Sequence, residues 1–289
     1  MIKVNIIMTT FNIENYVEKS IKSVLDQETE YAYNLIIVDD CSTDGTVAVI
    51  NNIMNSHPNG NFIELHQNSV NLGVVKNSRK ILSLAKAPYV AMIDGDDYWI
   101  DNLKLEKQVG FLENNPEFNS SAGIVKKLFE DTGKMKIFRD GWNHEKKEEY
   151  MLRDYLVGPF SQTSSYVYRN NFTFPDWFNN LQSNDATIFI LATNTGKIKY
   201  FKEVFSVYRV RNNNYSSNKK AKKSNEKTAY FLNQIDNHFH KKYHRTIRVR
   251  HLINNVYYKF MDGRNKAFQL IGKALVLSLY LINKYMVKN

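Results

Sequence analysis

NLIIVDDCSTDGT, residues 34–46, is the stretch on which the fold turns. One asparagine leads into four consecutive apolar side chains. Two carboxylates, Asp39 and Asp40, end the run, and Ser42, Thr43, Asp44 and Gly45 supply loop and helix-start chemistry. An apolar run without alternation suits a strand covered on both faces, as in a parallel sheet. The same grammar appears on either side. Upstream, VNIIM (4–8) runs into the polar TTFN (9–12). Residues 14–25 then place Tyr16, Val17, Ile21, Val24 and Leu25 at the three- and four-residue spacing of an amphipathic helix. Downstream, 46–54 reads as a helix, 57–60 as a turn, 62–66 as a third strand, 71–73 as a turn and 74–84 as a helix. YVAMI (89–93) is a fourth buried strand that stops at DGDD (94–97). Alternation of this kind predicts an α/β fold, an open doubly wound sheet built by right-handed crossovers. The polar clusters 9–12, 39–40 and 94–97 then fall on one rim, outside the strand C-termini, where such sheets bind ligands.

Beyond this half the pattern loosens. A helix is expected over 104–113, started at Asp101 or Asn102, and 122–208 reads as shorter strands and helices rich in aromatics. Residues 212–225 are polar and charged, a loop. Helical patterning returns over 226–240, 246–261 and 266–287. No internal repeat at a constant period is visible.

Composition narrows the class. Of 289 residues 43% are hydrophobic, enough to build a core. Cys41 is the single cysteine, which rules out an internal disulfide framework. Residues 1–11 read as a first strand, not as a signal peptide. No stretch reaches the roughly 18 apolar residues of a membrane span. The net charge of +10 is concentrated after Arg209. That end suits an anionic lipid surface, nucleic acid or plain solvation. Residues 264–289 mix apolar and lysine positions, as a helix on an anionic membrane would, or one packed on the domain or a sister subunit in a homo-oligomer.

Three carboxylates within 94–97 repel one another unless a cation or donors stand between them. One or two such groups plus substrate phosphates are a usual Mg²⁺ environment, and Gly95 would let the backbone turn and a ligand approach closely. Asp39 and Asp40 can accept from a nucleobase or ribose; Thr9 and Asn12 can contact a base. In each case the alternative is turn or cap duty. Trp142, Trp177 and Phe178 lie where a sugar could stack, or pack in a core. The histidines show no supported metal spacing.

Taken in order, TTFN (9–12), IIVDDCSTDGT (36–46), NLG (71–73) and DGDDYW (94–99), followed by KLEKQ (104–108), resemble family 2 glycosyltransferases with the GT-A fold, across residues 1 to about 118. The resemblance implies a GT-A domain over 1–211, with a nucleotide-binding half (1–118) and an acceptor half (119–211). A flexible basic loop (212–225) and a helical C-terminal extension (226–289) follow. It implies that Thr9 and Asp39 hold the base, usually uracil, that Asp94 and Asp96 meet ribose and metal, and that Asp96 is the ligand of Mg²⁺ or Mn²⁺. Asp97 would orient either. Ser183-Asn184-Asp185 resembles the acidic dipeptide whose last member is the catalytic base, with Asn184 where an acid is common. Lys76 and Arg79 stand near a position that touches phosphate or base. Tyr208-Arg209-Val210-Arg211 is similar to a segment before a mobile loop, with Arg211 where many relatives have histidine; it would pair with diphosphate, and 212–217 would close over the donor.

The activity so implied is inverting transfer from a UDP-sugar to a hydroxyl of a glycan or lipid-linked acceptor in bacterial surface polysaccharide synthesis. It places the chain in the cytoplasm or at the inner membrane face, with no nucleic-acid partner. Three other classes compete: a glycoside hydrolase, which also needs paired carboxylates, a basic nucleic-acid- or glycan-binding protein, and a catalytically dead binding subunit.

Overall fold

The computed structural model describes residues 1–138, 147–157, 160, 162–180, 185–194, 196–211 and 221–261. Its first half follows the alternation read above: β1 (Val4–Thr10), α1 (Glu14–Leu25), β2 (Tyr33–Asp39), α2 (Thr46–Ser56), β3 (Ile63–Gln67), α3 (Val74–Leu84) and β4 (Tyr89–Asp94). These strands stand in the order β3-β2-β1-β4 and pair in parallel. The unbroken apolar runs of β1, β2 and β4 are explained by cover on both faces, while the edge strand β3 is mostly half-buried or exposed. On one face Val4, Ile6, Met8, Leu35 and Ile37 join a core with Val17, Ile21 and Val24 of α1 and Ile50 and Ile53 of α2. The alternate positions Ile7, Ile36, Val38, Val90 and Met92 point the other way, against Ile81 and Leu82 of α3.

The second half is mixed. β5 (Tyr98–Trp99), α4 (Lys104–Asn114), β6 (Phe118–Phe129), β7 (Lys134–Ile137), β8 (Glu149–Tyr150), α5 (Leu152–Val157), β9 (Val167–Arg169), α6 (Asp185–Thr193) and β10 (Lys197–Val210) continue the chain. The sheet extends from β4 through β9, β6 and β10 to β5. β9 runs antiparallel to both neighbours, whereas β6 and β10 are parallel. The expectation of short strands fails here, since β6 has 12 residues and β10 has 14. β6 is disguised by its polar start: Ser120 and Ser121 are fully buried, and Ser121 Oγ accepts from Gln108 Nε2 of α4 at 3.1 Å.

Helices α7 (Ala221–His238) and α8 (His244–Met261) follow. α7 begins inside the stretch expected to be a loop. The pair packs on the sheet's second half: Leu232, Ile235, Phe239 and Ile247 share one core with Tyr155, Leu156, Tyr166, Phe189 and Ile190. α6 is apolar all round and correspondingly buried, apart from its first turn. The expected helix over 266–287 lies outside the described residues. No helix among the described residues is long and apolar enough to cross a membrane.

Candidate active site

Register builds the rim. Thr10 stands opposite Asp39 across β1 and β2, and Thr9 opposite Asp94 across β1 and β4. The turn after β4 is then pinned from two sides. The Gly95 N–H donates to Thr9 O at 3.1 Å. Ser20 Oγ of α1 donates to the carbonyls of Gly95 and Asp97. A Cβ on Gly95 would lie 2.6 Å from Ile13 Cδ1 and 2.9 Å from Thr9 O. The bare Cα therefore admits the neighbouring β1–α1 turn.

Thr9, Asp94 and Asp185 line one pocket, together with Ser78, Thr163 and Ile188. Residues 176 positions apart in the chain at their extremes thus meet at the strand C-termini. Asp185 opens α6, and Thr163 Oγ1 donates to its Oδ2 at 3.3 Å. Burial, reinforced by the charges of Asp185 and Asp96, pushes the Asp94 carboxyl up to about 8. Burial, with Asp94 and Asp96 adding, also holds Asp97 well above the usual carboxylate range. Asp97 accepts from the Arg209 backbone N–H at 3.0 Å and from Gln162 Nε2 at 3.2 Å, so it locks β10 to this turn. Asp96 forms an ion pair with Arg211, whose guanidinium lies 4.6 Å from the centre of the Tyr16 ring. Arg209, on the same face of β10, pairs with Glu130 at 2.9 Å.

Other expected binders have different surroundings. Asp39 is buried and accepts from Thr10 Oγ1, Ser42 N and Ser42 Oγ at 2.6–2.8 Å. A carboxylate has about four acceptor positions, which leaves it room for one more donor. Asp40 accepts from Asn68 Nδ2 and from the Leu72 and Gly73 N–H groups, each at 2.8 Å, and so anchors the 68–73 loop. Asn12, at φ 50°, accepts the Thr43 N–H at 2.8 Å and ties the first turn to the loop after β2. Arg79 donates to the Phe178 carbonyl at 3.0 Å and does not reach the rim through that bond; Lys76 is exposed on α3. Phe178 is buried in the core, and Trp177 packs against the same core while remaining partly exposed. Trp142, Asn184 and the 212–217 segment lie outside the described residues.

The sequence reading passed over Gln162, Thr163, Tyr16 and Glu130. Gln162 and Thr163 sit in a Ser- and Thr-rich turn with no spacing signal, and only the pairing of β9 between β4 and β6 brings them to Asp97 and Asp185. Among the described residues no three His, Cys, Asp or Glu side chains converge as a self-sufficient metal site. The crowded carboxylates of Asp94 and Asp96 nevertheless fit a hard divalent cation whose remaining ligands are phosphate oxygens and water.

Comparison with known proteins agrees with this architecture. The family model for glycosyl transferase family 2 matches residues 5–173, more than half of the chain. Protein Rv1520 of Mycobacterium tuberculosis is 32% identical over 206 residues, covering 71% of this chain and 58% of that protein. The Escherichia coli UDP-Glc:alpha-D-GlcNAc-diphosphoundecaprenol beta-1,3-glucosyltransferase WfaP is 33% identical over 131 residues, 45% of this chain and 49% of its own. This chain therefore spans less than two thirds of the length of either curated relative. In fold, it superposes on Staphylococcus aureus TarS in complex with UDP-GlcNAc with a TM-score of 0.66 at 19% identity, over 93% of this chain and 75% of that one. The parallel β3-β2-β1-β4 half, the mixed second half and the family match together carry one conclusion: this chain has the GT-A fold and belongs to glycosyl transferase family 2.

Proposed function

We propose that the chain transfers a sugar, with inversion, from a nucleotide-diphosphate donor to a hydroxyl of a glycan or lipid-linked acceptor. UDP is the favoured nucleotide. The observation that carries this reading is the shared pocket of Thr9, Asp94 and Asp185 beside Asp96. Thr9 and Asp39, at the ends of β1 and β2, hold the base. Asp94 meets ribose, and Asp96 holds Mg²⁺ or Mn²⁺. A divalent ion there supplies charge to offset the departing diphosphate. Asp185, steadied by Thr163, accepts the proton of the acceptor hydroxyl as its oxygen attacks the anomeric carbon from the face opposite the nucleotide. The rim holds donor and acceptor in line, which provides part of the rate by proximity. No protein nucleophile enters, and the configuration inverts. The exposed Arg245, Arg248 and Leu252 of α8 support a lipid-side location for the acceptor.

Calorimetry and turnover with UDP-sugars on two variants test the scheme. Asp96→Asn is expected to abolish turnover and the metal-dependent part of UDP binding. Asp185→Asn is expected to abolish turnover, by about 100-fold or more, while UDP binding is kept. Full activity in Asp185→Asn would remove that residue from the chemistry. A hydrolase would instead release free sugar from glycosides without any nucleotide.

A further inference from the structure

Arg211 is unlike its neighbour on β10. Arg209 is buried and partnered by Glu130, a carboxylate away from the acidic turn. Arg211 places its guanidinium on Oδ2 of Asp96, between the Tyr16 ring and the acidic turn, with both side chains about one fifth exposed at 23% and 19%. The backbone leading to it is held by the bond from the Arg209 N–H to Asp97, so the guanidinium is delivered to Asp96 by the strand itself. Asp94 and Asp185 line the neighbouring pocket, so the acidic turn has further carboxylates on its other side. The cation facing Asp96 in this arrangement is part of the chain.

We propose that Arg211 is a latch: it occupies Asp96 until a divalent cation and a diphosphate arrive together, then passes from the carboxylate to the diphosphate. This rests on the reading of the site given above. The physical argument is competition for one carboxylate. A divalent ion on Asp96 and a guanidinium on the same group repel each other, so the ion alone must first displace Arg211 and leave that cation without its anion. A nucleoside diphosphate removes the penalty, because its oxygens accept a guanidinium in the same two-pronged geometry as a carboxylate. Metal and nucleotide then load as a coupled pair, and the coupling is reciprocal by linkage. Arg211 acts as a positioning residue for the donor. The stack on Tyr16 keeps the guanidinium close by during the exchange.

The test measures Mn²⁺ affinity of the full chain by titration calorimetry, with and without UDP, for the wild type, Arg211→Gln and Arg211→Lys. The proposal expects UDP to tighten Mn²⁺ binding to the wild type by about tenfold or more. In Arg211→Gln, Mn²⁺ alone should bind about fivefold tighter than in the wild type, and the tightening by UDP, part of which phosphate coordination of the ion keeps, should be smaller than in the wild type by about the same factor. Arg211→Lys, which keeps the charge, should stay nearer the wild type. Circular dichroism melts confirm that each variant is folded before titration. Unchanged or weaker Mn²⁺ binding in folded Arg211→Gln without UDP overturns the latch while leaving the transferase reading intact. A wild type that binds neither Mn²⁺ nor UDP overturns both.

Discussion

Lys104 carries a charged group into the core. It is fully buried, its Nζ sits 4.1 Å from the centre of the Trp99 ring, and it has no hydrogen-bond partner among the described residues. Burial holds its ammonium well below the ordinary lysine range. Between that lowered value and the unfolded value of about 10.4, the unfolded chain binds the extra proton, so this residue's contribution to stability rises with pH and its penalty shrinks as pH approaches the unfolded value. Lys104→Met is therefore expected to raise the melting temperature at pH about 7, and the gain should shrink as pH approaches about 10. Melts of both proteins across that range check it; a gain independent of pH would contradict the assignment. Burial of this kind is illegible in sequence, where a lysine at a helix start reads as exposed. The anchoring of the 68–73 loop by Asp40 is equally hidden in the sequence, because its donors lie about thirty residues further on. Asp94 and Asp96 stand out in the sequence because they end an apolar run, whereas Asp185 follows the polar NNLQSN (179–184) and is reached only through the resemblance of Ser183-Asn184-Asp185.

At the scale of elements, β1, β2, β4 and the first three helices were readable because their periods are clean and both faces of those strands are covered. β6 and β10 were not. Their buried serines and the irregular register between them leave no apolar run to count. The turn after β4 is the element on which the site depends most directly. Gly95→Ala would drive a methyl group into the Thr9 carbonyl and Ile13, so the turn must shift. The expected cost is about 1–3 kcal/mol of stability by overpacking, together with weaker UDP binding, because Thr9, Asp94 and Asp96 move with it. Denaturant unfolding and calorimetry on that variant measure both effects. A variant that keeps wild-type stability would show that the turn has more freedom than this packing allows.

Over the whole molecule, α7 and α8 complete the core of the second half of the domain. The rings of Phe189 and Tyr166 stack at 3.9 Å in a cluster that also receives Phe239, and Tyr166 directly follows the turn of Gln162 and Thr163. Phe239→Ala is expected to cost about 3–5 kcal/mol and to lower the single melting transition of the whole chain, without exposing a separate one for the helices. Two resolved transitions in calorimetry would refute that cooperativity. The sequence could mark these helices by period alone. It could not show what they cover, because that depends on apolar side chains nearly a hundred residues apart. One consequence concerns grafting. A chimaera that exchanges acceptor preference between relatives by cutting after β10 would strand α6 without its outer layer and disturb the helix that begins with Asp185. A workable exchange has to carry α5, α6, α7 and α8 as a single cassette.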